Sequence, residues 1–300
     1  MTDNVKQQSK VVMGCMRIAE MATENLDRLI RTALECGVNT FDHADIYGGG
    51  KSEELFGEVL ASRPSMREEI VLQSKCGIRQ GWYDLSKEHI LESVDGILQR
   101  LHTDYLDTLV LHSPVAFMEP EEIGEVFDIL LSQGKVRHFG VSNMNAMQIA
   151  YLQNSLKVKL EVNQLQLSVA HSLIVDEGIN VNLACEPGQV HTGSVLDYCR
   201  LNGICVQSWS SLQYGFFEGT FLGSDKYPEL NRKLEELSEK YHISTGAVAI
   251  AWILRIPGVG QSVVGTTKPS RMKELAAAAD ICMDRKDWYD LYLSAGRKLP

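Results

Sequence analysis

Apolar positions along this chain follow two rhythms that alternate over almost its whole length. Short aliphatic and β-branched runs at 11–17, 38–44, 70–75, 105–112, 138–142, 161–166, 205–211 and 262–265 predict eight strands. Between them lie stretches with a helical period, among them 51–61, 87–101, 121–133 and 145–152. In 87–101 the apolar residues Ile90, Leu91, Val94, Ile97, Leu98 and Leu101 form one stripe. Ser86 precedes it as a natural N-cap, and Glu88 sits in the first turn, where the helix dipole favours a negative charge. The run 108–111 is apolar and ends at His112-Ser113-Pro114, which is the pattern of a buried parallel strand meeting a loop.

Strand ends are predicted at Asp42, Lys75, His112 and Asn143, at separations of 33, 37 and 31 residues. That is the period of a repeated βα unit. Eight such units predict an α/β fold, a closed (β/α)8 TIM barrel in one domain over residues 1–300. An open doubly wound sheet would carry a G-x-G-x-x-G turn after its first strand, whereas here that turn is Gly14-Cys15-Met16. Two segments break the rhythm, 169–194 and 213–227, and both are predicted to shape an active-site mouth.

Composition narrows the function. Hydrophobic residues make up 44% and charged residues 23%, as in a soluble globular enzyme. The formal charge of −10 argues against nucleic acid or an anionic membrane as the main partner, since both need a basic face. The apolar run 247–254 stops at Arg255 and is too short to span a bilayer. The polar N-terminal stretch lacks the apolar core of a signal peptide, so a cytoplasmic protein is expected. Seven cysteines without a CxxC pair read as reduced, mostly buried thiols, and no zinc-site spacing accompanies them.

Three motif fragments point elsewhere and fail. Gly48-Gly49-Gly50-Lys51-Ser52 resembles the tail of a phosphate-binding loop, but Asp45 stands where that motif needs glycine. Its reading is a flexible loop before a helix capped by Ser52. Gly140-Val141-Ser142 lacks the second glycine of a hydrolase elbow, because position 144 is Met. In Asp42-His43-Ala44-Asp45 strand alternation sends His43 to the side opposite Asp42, so no metal site is expected.

What remains is a constellation at the predicted strand ends. Asp42, Tyr47, Lys75 and His112 bring a carboxylate, a phenol, an ammonium and an imidazole to one barrel mouth. Together they can move a proton to or from a carbonyl or alcohol oxygen. A free phenol ionises near pH ~10, and a neighbouring ammonium favours its phenolate. Asp42 would keep that ammonium charged, and His112 would supply a second hydrogen-bonding group. Lys75 could instead serve a Schiff-base aldolase, which borohydride trapping would reveal.

The run from Gly37 through Asp42-His43-Ala44-Asp45-Ile46-Tyr47-Gly48, with Ser52-Glu53, resembles the signature of the aldo-keto reductase superfamily. So do Leu72-Gln73-Ser74-Lys75, Leu109-Val110-Leu111-His112, Gly140-Val141-Ser142-Asn143 and Asn163-Gln164, in family order over about residues 11–279. The chain is most similar to that superfamily's bacterial oxidoreductases. The resemblance implies a barrel that reduces small aldehydes or ketones with NADPH. Tyr47 would be the general acid, Lys75 would lower its pKa, Asp42 would pair with Lys75, and His112 would orient the carbonyl.

By the same resemblance Ser142, Asn143 and Gln164 would bind the nicotinamide carboxamide, and Trp209 would stack on its ring, with Ser210 and Leu212 beside it. The family more often has Tyr at position 209 and Pro at 211. Gly265, Thr266, Thr267, Lys268, Arg271 and Glu274 would hold the adenosine end, with Arg271 and Lys268 on a 2′-phosphate. Some members carry lysine at position 265, so a clear rather than absolute NADPH preference is expected. Potassium-channel β subunits share the fold, and a cofactor-binding regulator is therefore the alternative. The intact tetrad argues for turnover. Specificity is expected from loop aromatics, among them Trp82, Tyr83, Tyr214, Phe216, Phe217 and Phe221.

Overall fold

The computed structural model describes residues 7–189 and 192–299. The first six residues of the polar N-terminal stretch, positions 190 and 191 of the segment 169–194, and position 300 lie outside the described residues. Eight parallel strands form a closed barrel. They are β1 (Val11–Gly14), β2 (Thr40–Asp42), β3 (Val71–Cys76), β4 (Leu106–Leu111), β5 (Val136–Ser142), β6 (Leu160–Gln166), β7 (Cys205–Trp209) and β8 (Val259–Val264). Each pairs with its neighbours in sequence, and β8 closes on β1 with Val11 opposite Ser262 and Met13 opposite Val264.

All eight predicted strands are present. The helices predicted at 51–61, 87–101, 121–133 and 145–152 are Lys51–Ser62, Lys87–Arg100, Pro120–Ser132 and Ala146–Gln153. In Lys87–Arg100 the buried residues are Ile90, Val94, Ile97 and Leu98, while Leu91 of the predicted stripe is half-buried and Leu101 is buried at the C-cap. Ser86 occupies the N-cap position, yet its hydroxyl makes no capping bond. The Lys87 backbone N–H donates instead to the Glu122 carboxylate at 2.9 Å, a stronger acceptor than a hydroxyl. Asn145 does cap its helix, in a reciprocal capping box with Gln148. The apolar run at 247–254 belongs to a buried helix, Thr245–Leu254. Among the described residues no helix is long and apolar enough to cross a membrane.

Lys51–Ser62 is the helix that matters most for the site. Gly48, Gly49 and Gly50 take left-handed backbone with φ of 59°, 66° and 92°, and a Cβ on Gly48 would fall 2.5 Å from that of Ala19. The glycines therefore make a tight turn from Tyr47 into the helix. Ser52 lies inside the first turn and does not cap it; the N-cap is Gly50. Buried Glu53 accepts from Ser74 Oγ at 2.5 Å and from Arg100 Nε at 2.8 Å. That fastens the helix to β3 beside Lys75.

The two irregular segments behave differently. In 213–227 a bridge between Gln213 and Thr220 closes a short loop with Phe216 and Phe217 at its tip. None of the described residues of the segment 169–194 lines the cavity described below. It carries the helix Leu173–Ile179 and is anchored to the C-terminal segment, where Arg297 donates to Val169 O at 2.6 Å and pairs with Asp176 at 3.0 Å. Its own carboxylate Glu177 accepts from Thr192 N–H at 2.9 Å. A hairpin absent from the predicted elements, Ile78–Arg79 with Trp82–Tyr83, follows β3. Its signal was the two-residue turn Gln80-Gly81, with Gly81 at φ 87°.

Candidate active site

A cavity of about 930 Å3 opens at the C-terminal ends of the strands, where barrel enzymes keep their chemistry. Asp42, Tyr47, His112, Ser142, Asn143, Gln164, Trp209, Ser210, Leu212, Gly265 and Arg271 all line it. Asp42, Ser142 and Trp209 are the last residues of β2, β5 and β7, and His112 follows β4 by one. Lys75 lies beneath the cavity floor and is fully buried.

Lys75 organises this floor. Its ammonium donates to Asp42 Oδ2 at 2.7 Å, to the His43 carbonyl at 2.8 Å and to the Tyr47 hydroxyl oxygen at 3.1 Å. Burial pulls this lysine down, but the Asp42 charge and the hydrogen bonds to Asp42 and Tyr47 hold it above the ordinary range, so it stays cationic. The Tyr47 oxygen accepts from Lys75, which leaves its own proton free for a partner in the cavity. Burial raises the Tyr47 phenol above its ordinary value despite the downward pull of Lys75, and Asp42 adds to the rise. Tyr47 is therefore a protonated phenol at neutral pH.

His112 stands edge-on to Tyr47, with ring centroids 6.1 Å apart. Burial, then the Lys75 charge, lowers it to about 3. It is neutral at physiological pH and can offer a hydrogen bond, but it has no imidazolium proton to give. His43 points away, its ring edge on Phe56 at 4.7 Å. That is the outward alternation read from the sequence.

Around the floor, Gln164 donates both amide hydrogens inward, to Asp42 Oδ1 and to Gln207 Oε1, each at 3.0 Å. Its carbonyl oxygen is the atom left for a ligand. Ser142 Oγ donates to the Gln164 carbonyl of the backbone at 2.9 Å and accepts from Asn143 Nδ2 at 3.1 Å. Trp209 Nε1 donates to Asn143 Oδ1 at 3.0 Å, which ties the indole to this group. Asn143 and Ser210 follow β5 and β7 in left-handed backbone, φ 58° and 51°, so the chain turns sharply at both sites. At position 211, where the resembled family often has proline, Ser211 is buried. It bonds Ser208 Oγ at 2.8 Å, Ser262 Oγ at 2.9 Å and the Val263 carbonyl at 3.2 Å. This serine cluster shapes the turn in proline's place.

The residues expected at the adenosine end separate. Gly265 and exposed Arg271 line the cavity. Thr267 and Lys268 line a second recess of about 450 Å3, together with Arg28. Thr266 is buried, with its hydroxyl accepting from the Lys268 backbone, and Glu274 lines neither. The helix Pro269–Ala276 carries Arg271 on one side, while Lys268 at its N-cap faces the other recess. The sequence reading missed Arg17, Met16 and Ile78 at the cavity wall. Of the loop aromatics, Tyr83, Phe216 and Phe217 reach the cavity; Trp82, Tyr214 and Phe221 do not line it.

The chain matches the model of the aldo/keto reductase family over residues 10–292. It is 33% identical to oxidoreductase YdhF of Escherichia coli (strain K12), covering 96% of this chain and 93% of that protein. It is 31% identical to a 6-dehydroglucose reductase of Agrobacterium fabrum, over 97% and 96% of the two chains. A crystal structure of an aldo-keto reductase from Klebsiella pneumoniae in complex with NADPH superposes with a TM-score of 0.74 at 22% identity, over 94% of this chain and 89% of that one. A closed parallel barrel matched by the family model over nearly its full length establishes that this chain belongs to the aldo/keto reductase family.

Proposed function

We propose that this protein reduces an aldehyde or ketone to an alcohol with NADPH, and that Tyr47 is the general acid. One observation carries the reading. The Tyr47 oxygen accepts a hydrogen bond from a buried ammonium while its own proton remains free toward the cavity. A carbonyl oxygen placed there would receive that proton, and Lys75 would stabilise the phenolate left behind. Neutral His112 would donate a hydrogen bond to the same oxygen and hold the carbonyl in line. The aromatic side chains Tyr83, Phe216 and Phe217 give the mouth an apolar wall.

The donor set fits a nicotinamide. The carboxamide NH2 would donate to the free Gln164 side-chain carbonyl, its oxygen would accept the second Nδ2 hydrogen of Asn143, and Trp209 would cover the ring. When bound, the reduced cofactor supplies the hydride, so no covalent enzyme intermediate is needed. The relative named as a 6-dehydroglucose reductase and the neighbour in complex with NADPH support the reading. The Schiff-base alternative fits poorly. Lys75 is held cationic and gives three hydrogen bonds, so it has no lone pair with which to attack a carbonyl. A panel of aldehydes and ketones assayed by loss of NADPH absorbance tests the function; no turnover on any of them would reject it.

Cofactor choice gives a separate expectation. NADPH differs from NADH by a phosphate, and a chain at −10 repels it at long range, so preference must come from local cations. Arg271 is the cation on the cavity wall at the Gly265 end, and its guanidinium can grip phosphate oxygens in pairs. A charge-assisted contact of ~1.5–3 kcal/mol gives roughly ten- to a hundredfold discrimination. Arg271→Ala should weaken NADPH binding by more than ~10-fold and leave NADH binding nearly unchanged. Equal loss of both cofactors in a fluorescence titration would remove Arg271 from this role.

A further inference from the structure

The interior of a TIM barrel is usually filled by branched aliphatic side chains. Here the layer below Asp42 is made of amides. Gln73 Nε2 donates to Asp42 Oδ1 at 2.6 Å and to Gln207 Oε1 at 2.9 Å. Gln207 Nε2 donates back to Gln73 Oε1 at 3.0 Å and on to Gln261 Oε1 at 2.7 Å. Gln261 Nε2 donates to the Ser9 carbonyl at 2.9 Å. The chain of bonds thus runs from the cavity floor to Ser9, two residues before β1. Gln73, Gln207 and Gln261 are all buried.

The direction of this chain is fixed at one end. A carboxylate only accepts, so Gln73 and Gln164 must both turn their NH2 groups toward Asp42. Gln207 Oε1 then receives the second hydrogen of each, and its own NH2 must face Gln73 and Gln261. Every amide hydrogen of Gln73, Gln164 and Gln207 is used. Asp42 Oδ1 is thereby held between two amides, and Oδ2 is left to Lys75.

We propose that Gln73, backed by Gln207, is a positioning residue for Tyr47: it fixes the Asp42 carboxylate in the orientation that keeps the Lys75 ammonium against the Tyr47 oxygen. The inference rests on the reading of Tyr47 as the acid. Gln73 does not itself line the cavity and acts through Asp42 and Lys75. The other titratable groups facing this pair are Cys15, His43, Glu53 and His112.

The test compares wild type with Gln73→Met, which keeps an unbranched chain and removes both donors, and Gln73→Glu, which sets a second carboxyl beside Asp42. Two measurements are made on each. One is kcat against pH with NADPH and an aldehyde. The other is the ultraviolet titration of the Tyr47 phenol, isolated by subtracting the same background carrying Tyr47→Phe. Gln73→Met should lower kcat about tenfold or more with NADPH affinity close to wild type. In both variants Tyr47 should ionise at higher pH than in wild type, because the Asp42 charge is less compensated or is joined by a second one. Lower thermal stability with kcat and the Tyr47 titration unmoved would reduce Gln73 to a packing residue and overturn the proposal. If wild type turns over no carbonyl, the parent reading fails, and the Tyr47 titration still decides the positioning role. Should Gln73→Glu not fold, Gln73→Met carries both measurements.

Discussion

Tyr47→Phe should lower kcat for carbonyl reduction by roughly 10²- to 10⁴-fold, the scale of a lost general acid. NADPH affinity should stay near wild type, because the residues proposed to hold the nicotinamide sit on β5, β6 and β7 and the Tyr47 hydroxyl bonds Lys75 instead. The fold should survive, since Lys75 retains Asp42 and the His43 carbonyl as acceptors. The pH profile of wild type belongs to the same expectation. His112 ionises only at about 3, so it contributes no limb near neutrality. Tyr47 sits above its ordinary range, so reduction should hold its rate across neutral pH and fall on the alkaline side as the phenol loses its proton. A limb centred near pH ~6.5 would assign the proton to an ordinary histidine instead. Near-wild-type turnover in Tyr47→Phe would end the assignment outright.

Lys75→Met should damage both stability and activity. Asp42 is 2% exposed and would lose its Lys75 ion pair, keeping two amide donors for a full charge. Breaking a buried ion pair from one side costs ~3–5 kcal/mol. The Tyr47 phenolate would lose its stabilising charge, so kcat should fall at least as far as in Tyr47→Phe. A second change separates the two effects. Adding Asp42→Asn to Lys75→Met removes the stranded charge, so thermal stability should recover in part while turnover stays lost. Unchanged stability in Lys75→Met, or recovered turnover in the double variant, would contradict the arrangement.

Much of the barrel was legible because its period is long and its strands are buried on both faces. The eight strands and the four helices singled out were each located, with ends moving by a few residues. The floor was legible for a different reason. Asp42, Tyr47, Lys75 and His112 are polar residues at places where strand chemistry gives no reason for them, and all but buried Lys75 line one cavity.

What escaped the sequence depends on partners distant in the chain. Gln73 and Gln207 are 134 residues apart, and each alone reads as a polar interruption in a strand. The Ser86 hydroxyl lost its capping role to Glu122, which lies in the next helix. Lys268 and Arg271 are three positions apart, yet Lys268 sits at the N-cap and opens on another recess. The downward pull of Lys75 on Tyr47 can be read from residue type and is present, whereas the larger effect of burial cannot be read that way. The anchoring of the segment 169–194 by Arg297 joins positions 128 residues apart in the chain.

The central claim is that a hydride passes from the nicotinamide to a carbonyl carbon in this cavity while Tyr47 supplies the proton. Its most direct test is mass spectrometry of the alcohol formed from an aldehyde and NADPH deuterated at the transferring C4 position. The expected product carries deuterium on its carbinol carbon with wild type and is absent, or formed at a small fraction of the rate, with Tyr47→Phe. An alcohol without deuterium, or unconsumed NADPH across the carbonyl panel, would contradict the claim.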